Sequence, residues 1–169
     1  LEAASGISID YRDEGTLMVA DDRDGAAHLK RVYDFQRLHD VPVQWISPAD
    51  AQAIEPLLTP RITAAVYSKA DHQLDPVEFV RALRKAFTSS GGELIEHTAV
   101  RSLDLKGVNP VWRTEAGAAI EASTVITAAG CWSGGIDGLP GGPIPVRPVK
   151  GQMLELQMAE PYNLQTVIR

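Results

Sequence analysis

Cys131 and Ser133 stand two residues apart in the stretch Val125 to Gly135, VITAAGCWSGG. A thiol or hydroxyl at the end of an apolar run can serve as a nucleophile, and a helix opening there would lower a thiol pKa. Ser133 is one residue out of register with the G-x-S-x-G elbow of hydrolases. No histidine nearby supplies a base, and a lone cysteine usually behaves as a small hydrophobe. Nucleophilic catalysis is therefore disfavoured. The small residues Ala128, Ala129 and Gly130 point elsewhere. At the carboxyl end of a strand, short side chains let a cofactor lie across the backbone, where free N–H groups can meet phosphate or flavin oxygens. They would equally let a helix pack closely on the strand, and the residues alone leave both readings open.

Other chemistry is thinly represented. His28, His39, His72 and His97 lack metal-ligand spacing. His28 and His39 fall about three turns apart on one predicted helix, too far to share an ion. Neither G-x-G-x-x-G nor G-x-x-x-x-G-K-[ST] occurs, so a phosphate-binding glycine turn is not supplied by these residues. The net charge of −6 argues against nucleic-acid binding, which needs a basic surface. One cysteine excludes an internal disulfide and fits a reducing compartment. No apolar run reaches membrane-spanning length.

The elements that would position the stretch follow from periodicity. ISIDYRDEGTLMVA alternates on both sides of Asp13-Glu14-Gly15 and predicts a β-hairpin. Asp24 to His39 carries Ala27, Leu29, Val32, Phe35 and Leu38 at helical spacing. VPVQWI predicts a short strand. Ser47 is a predicted N-cap, with Pro48 opening a helix that Pro56 closes. A further helix begins at Asp75, with Pro76 in its first turn, Glu78 completing a capping-box pattern, and an apolar stripe of Phe79, Val80, Leu83 and Phe87. Gly91 and Gly92 end it. ELIEHTAVRSLDL and VWRTEAGAAIEASTVITAA predict three or four strands, with a turn at Glu115-Ala116-Gly117. Thr124 to Ala129 is apolar on both faces, as in a buried parallel strand. GLPGGPIPVRPVKG is irregular, and GQMLELQM predicts a last strand. The order favours an α+β domain. The 169 residues suffice for one core, or for one domain and part of another. Leu1 in place of Met, and the uncapped end LQTVIR, suggest either a segment of a longer polypeptide or a processed precursor.

STVITAAGCWSGGI followed by PVRPVKGQML resembles the FAD-dependent amino-acid oxidases of the D-amino-acid oxidase, sarcosine oxidase and glycine oxidase group. YRDEGTLMVADD, LHDVPVQWISPADAQAIEPLL and HQLDPVEFVRALRKAF look like the same family's middle region, most like the glycine oxidase associated with thiamine biosynthesis. The resemblance implies an antiparallel or mixed β-sheet substrate domain with flanking helices, plus part of an α/β FAD-binding domain. It would place substrate-domain residues at 1–92, a return to the flavin domain at 93–144, and a crossing back at 145–169. It implies that Ala128, Ala129, Gly130 and Trp132 line the FAD site and that the Val100 backbone meets the adenine end.

The implied reaction passes hydride from the α-carbon of a small amino acid to the flavin. An imino acid results and O₂ reoxidises the flavin to give H₂O₂. The cofactor carries this chemistry, so no side chain of the segment is assigned a catalytic role. The family's glycine fingerprint, substrate-carboxylate Arg, active-site Tyr and carboxy-terminal flavin contacts fall outside these residues. Arg147 and Arg169 do not occupy the matching clamp positions, and surface or crossing-loop roles are expected for both. The expected partners are a small amino-acid substrate, O₂ and the remainder of the flavin domain, in the cytoplasm, without nucleic acid or membrane. An exposed sheet edge would favour homo-oligomers. Without the pyrophosphate site, the segment alone should hold FAD weakly. Two alternatives stand beside this reading: a flavin dehydrogenase of D-amino acids that passes electrons to a quinone, and a stand-alone module that has lost FAD.

Overall fold

The structure is a computed structural model that describes residues 1–154, 156–157, 159 and 163–169. The chain divides into two units, Leu1–Glu93 with Leu156–Arg169, and Leu94–Glu155.

The first unit opens with a short helix α1 (Glu2–Ser5), followed by β1 (Thr16–Ala20) and α2 (Arg23–Leu38). Then come β2 (Gln44–Ile46), α3 (Pro48–Ile54), β3 (Ala64–Ser68) and α4 (Pro76–Ser89). Capping residues set the helix starts. The Asp22 carboxylate accepts from the Gly25 N–H at 2.7 Å, and Asp75 accepts from Val77 and Glu78 at 2.8 and 3.0 Å. Ser47 and Asp50 form a reciprocal capping box around Pro48. The N-caps at Ser47 and Asp75 stand where the sequence places them.

Strand order in the sheet is β2-β3-β1-β7, where β7 is Val167–Ile168. β1 is antiparallel to β3, from Thr16 opposite Ser68 to Ala20 opposite Ala64, and parallel to β7. Alternation sends Met18, Ala20, Ala64 and Val66 to the face covered by Leu29 of α2. Leu17 and Ala65 go to the other face, with Ala51 of α3. Leu17, Ala65 and Val66 are fully buried, and a side chain like Leu17 contributes about 1.5–3 kcal/mol by leaving water.

Three expectations fail here. Ile7 to Tyr11 does not pair with β1 as a hairpin, because β3 and β7 already occupy both edges of that strand. Only an isolated bridge, Arg12 to Gln73, forms on that approach. The inward face of α2 carries Ala26, Leu29 and Tyr33, whereas Phe35 and Leu38 of the expected stripe are exposed. On α4 the buried residue is Ala82, and Val80, Leu83 and Phe87 are exposed.

The second unit is an antiparallel meander of β4 (Val100–Asp104), β5 (Val111–Thr114) and β6 (Ala119–Glu121). The turn at Glu115 to Ala118 forms as expected. Gly117 takes φ +85°, and the Thr114 hydroxyl accepts from the Ala118 N–H at 3.0 Å. The strand expected upstream begins only at Val100, and Leu94 and Ile95 are exposed. Thr124 to Ala129 is not a strand either. It has no ladder partner among the described residues, and Ile126 is 84% exposed. A strand apolar on both faces needs neighbours on both edges to hold its backbone hydrogen bonds. Residues 139–150 are irregular, as their proline content predicts. Gly151 to Leu154 form no strand, and Glu155 and Met158 of the expected last strand lie outside the described residues.

Candidate functional site

The five residues implicated by sequence lie in the second unit. After Ala129 the chain enters a 3₁₀ turn, Gly130–Gly135, in which the Trp132 N–H donates to the Ala129 carbonyl at 3.0 Å. The segment after it is fixed to β4. The Leu103 N–H donates to the Asp137 carbonyl at 2.8 Å, and the Asp137 N–H donates to the Arg101 carbonyl at 3.0 Å. Register slips at that point, with a bulge between Val100 and Ser102. Gly138 completes the docking. Its φ is +79°, and a Cβ there would sit 2.1 Å from the Leu103 carbonyl oxygen, so no other residue fits. Arg101 reaches Asp137 at 3.9 Å along the same seam. Ile136 is buried on that seam, and it lines both clefts described next.

Docking brings the 3₁₀ turn beside the start of β4 and leaves a cleft of ≈ 570 Å³. Val100, Ala129, Trp132 and Ile136 form its apolar wall, with Arg101 and Glu115 among the other lining residues. The volume lies within the roughly 300–1,000 Å³ common for small-molecule sites. A smaller cleft of ≈ 290 Å³ shares Val100, Ala129 and Ile136 and adds Ala128, Ile126 and Trp112. Val100, Ala129 and Trp132 line the larger cleft, whereas Ala128 lines only the smaller one. Gly130 lines neither cleft. It supplies the turn through φ +54°, and a Cβ placed on it would meet open space. The sequence reading missed Ile136, Arg101 and Glu115. The bulge that redirects Arg101 has no local composition signal, and Glu115 was read only as a turn residue.

The lining tests what the recess can hold. A flat ring suits it: Val100, Ala129 and Ile136 are apolar, and the Trp132 indole is 78% exposed and able to stack. The residues therefore fit a ring portion of FAD. A pyrophosphate cradle of the G-x-G-x-x-G type is not among them. No group of three or more metal-ligating side chains forms among the described residues. Cys131 is exposed and Ser133 buried. The histidine contacts lie elsewhere: the Arg31 guanidinium donates to His28, and His72 is paired with the Tyr11 hydroxyl and the Lys69 carbonyl.

Two carboxylates are held below their ordinary pKa. For Asp104 the larger cause is the Lys106 backbone N–H, followed by the Arg113 side chain. For Glu2 it is the Ile9 backbone N–H, followed by the Ser8 hydroxyl. Both are loop-fixing contacts and neither residue lines the recess.

The α+β frame carries an apolar recess where the 3₁₀ turn docks beside the start of β4. The chain belongs to the FAD dependent oxidoreductase family, whose model matches residues 1–168. It is 31% identical over 169 residues to a glycine oxidase of Geobacillus kaustophilus, covering 99% of this chain and 44% of that protein. It is 27% identical over 155 residues to D-amino acid dehydrogenase 3 of Mesorhizobium japonicum, covering 90% and 38%. The crystal structure of glycine oxidase from Geobacillus kaustophilus superimposes with a TM-score of 0.69 at 30% identity, over 79% of this chain and 36% of that one. The chain thus spans less than half the length of these relatives. No helix among the described residues is long and apolar enough to cross a membrane.

Proposed function

We propose that the chain is part of a flavin oxidase that oxidatively deaminates a small amino acid, with O₂ as the electron acceptor. The observation carrying this reading is the recess where Val100, Ala129 and Trp132 meet, in a chain 31% identical to a glycine oxidase. FAD, when bound, accepts the hydride from the substrate α-carbon. This chain's residues hold and shield. Val100 and Ile136 wall one ring of the cofactor, Ala128 and Ala129 keep its path clear, and the Trp132 indole covers it from water. Gly130 contributes the turn that brings Trp132 beside the start of β4. Unit Leu1–Glu93 with Leu156–Arg169 would then belong to the substrate domain and Leu94–Glu155 to the flavin domain.

The likeness to a D-amino acid dehydrogenase favours a second reading, in which electrons leave to a quinone. One experiment separates the two. The full-length polypeptide is assayed with glycine, sarcosine and D-alanine, following H₂O₂ with and without an artificial electron acceptor. Peroxide without the acceptor supports the oxidase. Turnover only with the acceptor supports the dehydrogenase, and the absence of flavin absorbance in the purified protein defeats both.

A further inference from the structure

The larger recess of the second unit carries two charged side chains beside its apolar wall, Arg101 and Glu115, and they are differently engaged. Arg101, at the β4 bulge, reaches toward the Asp137 carboxylate at 3.9 Å. Glu115 begins the turn between β5 and β6. Its N–H donates to the Ala99 carbonyl at 2.9 Å, which sets the residue beside Val100 at the start of β4. Gly117, at φ +85°, and the Thr114 hydroxyl, which accepts from the Ala118 N–H, hold the rest of that turn. The Glu115 carboxylate itself has no hydrogen-bond or ion-pair partner among the described residues. Its acceptor oxygens stand uncommitted on fixed backbone at the side of the recess.

An ionised carboxylate accepts hydrogen bonds and donates none, so it discriminates between ring edges. FAD has two ring systems. The pyrimidine end of the isoalloxazine presents two carbonyl oxygens and gains negative charge on reduction, and a carboxylate repels both. Adenine presents an exocyclic amine, a donor that a glutamate oxygen can take. Its flat faces suit a slot of Val100, Ala129 and Ile136 with an exposed indole to stack on.

We infer that Glu115 selects the purine entering this recess. Its carboxylate accepts from the exocyclic amine of adenine and turns away a purine with a carbonyl at that position, while the Trp132 indole stacks on the ring. The inference rests on the flavin reading above and extends it, because it assigns the recess to the end of the cofactor that takes no part in hydride transfer. Glu115 then governs affinity for the cofactor and leaves turnover of the loaded enzyme unchanged.

The test uses the full-length polypeptide freed of flavin. It is titrated with FAD, with the analogue of FAD in which hypoxanthine replaces adenine, and with FMN, following the change in flavin fluorescence. The parent should hold FAD about tenfold or more tightly than the hypoxanthine analogue, because a carbonyl replaces the amine against the carboxylate. Glu115→Gln should bring the two dinucleotides within about threefold of each other, since a side-chain amide can turn either its oxygen or its nitrogen to the purine. FMN, which has no purine, should bind parent and variant alike. A parent without preference between the dinucleotides overturns the assignment, as does an undiminished preference in Glu115→Gln. An equal loss of FAD and FMN affinity in that variant also overturns it, by putting the isoalloxazine against Glu115. A parent that binds neither dinucleotide defeats the flavin reading, and this assignment with it.

Discussion

The carboxylate of Glu55 accepts a hydrogen bond from the Gln165 backbone N–H at 2.6 Å, across 110 residues of sequence. Glu55 has no solvent exposure, and its other oxygen accepts from the Leu57 N–H at 3.2 Å. One buried side chain thus fastens the approach to β7 onto the end of α3. Glu55→Ala would leave two buried donors unpaired and should cost about 2–4 kcal/mol in urea unfolding. Glu55→Gln keeps an acceptor oxygen and should cost clearly less. Equal losses in the two variants would mean that shape matters more than hydrogen bonding.

Gly138 makes a sharper prediction. Gly138→Ala combines a left-handed backbone with a clash against the Leu103 carbonyl. It should destabilise the second unit by more than about 2 kcal/mol. Gly117→Ala provides the control: φ is +85° but a Cβ meets nothing within 4 Å, so only the backbone term of about 1 kcal/mol applies. Amide exchange in β4 reads the difference.

The recess can be filled on purpose. In the full-length polypeptide, Ala129→Phe should lower flavin retention about tenfold or more, because the ring enters the space that Val100 and Trp132 enclose. Cys131→Ala should leave flavin content unchanged, since the thiol is exposed and lines neither cleft. Absorbance of the flavin per protein decides the matter.

Acid should release two of the loop contacts. Glu2 and Asp104 have folded pKa values below their unfolded ones, so the stability they give is present above the unfolded values and lost as pH falls through the folded ones. Glu2→Gln and Asp104→Asn should each lower the melting temperature between neutral pH and pH 9 or so and converge with the parent on the acid side of about pH 4, so that the fall with acid is flatter. A parallel displacement of the whole curve would instead indicate lost packing.

Much of the local structure was legible because its causes are local. Ser47-Pro48 and Asp75-Pro76 mark helix starts within a few residues, and Glu115-Ala116-Gly117 marks a turn whose two strands are neighbours in sequence. Strand partners are another matter. Nothing near Thr16 says that its partners are Ser68 and Val167, so the alternation from Ile7 to Ala20 resembled a hairpin that two distant strands displace. Thr124 to Ala129 failed for the converse reason, since its apolar faces ask for ladder partners that the described residues do not provide. In the recess, the small residues announced themselves by size. Arg101 sits at the β4 bulge, which has no signature of composition, and Ile136 is brought in by the backbone pairing of Asp137 with β4.

The parallel pairing of β1 with β7 also bears on how the chain is made. The Gly15 carbonyl, which accepts from the Thr166 hydroxyl at 2.5 Å, leaves the ribosome 151 residues ahead of its partner. At about 5–20 residues per second, one edge of β1 waits roughly 8–30 seconds for its cover. An open edge of that kind invites pairing with other nascent chains. The time of greatest risk for this sheet therefore falls during synthesis, and a pause in translation between the two strands would lengthen it.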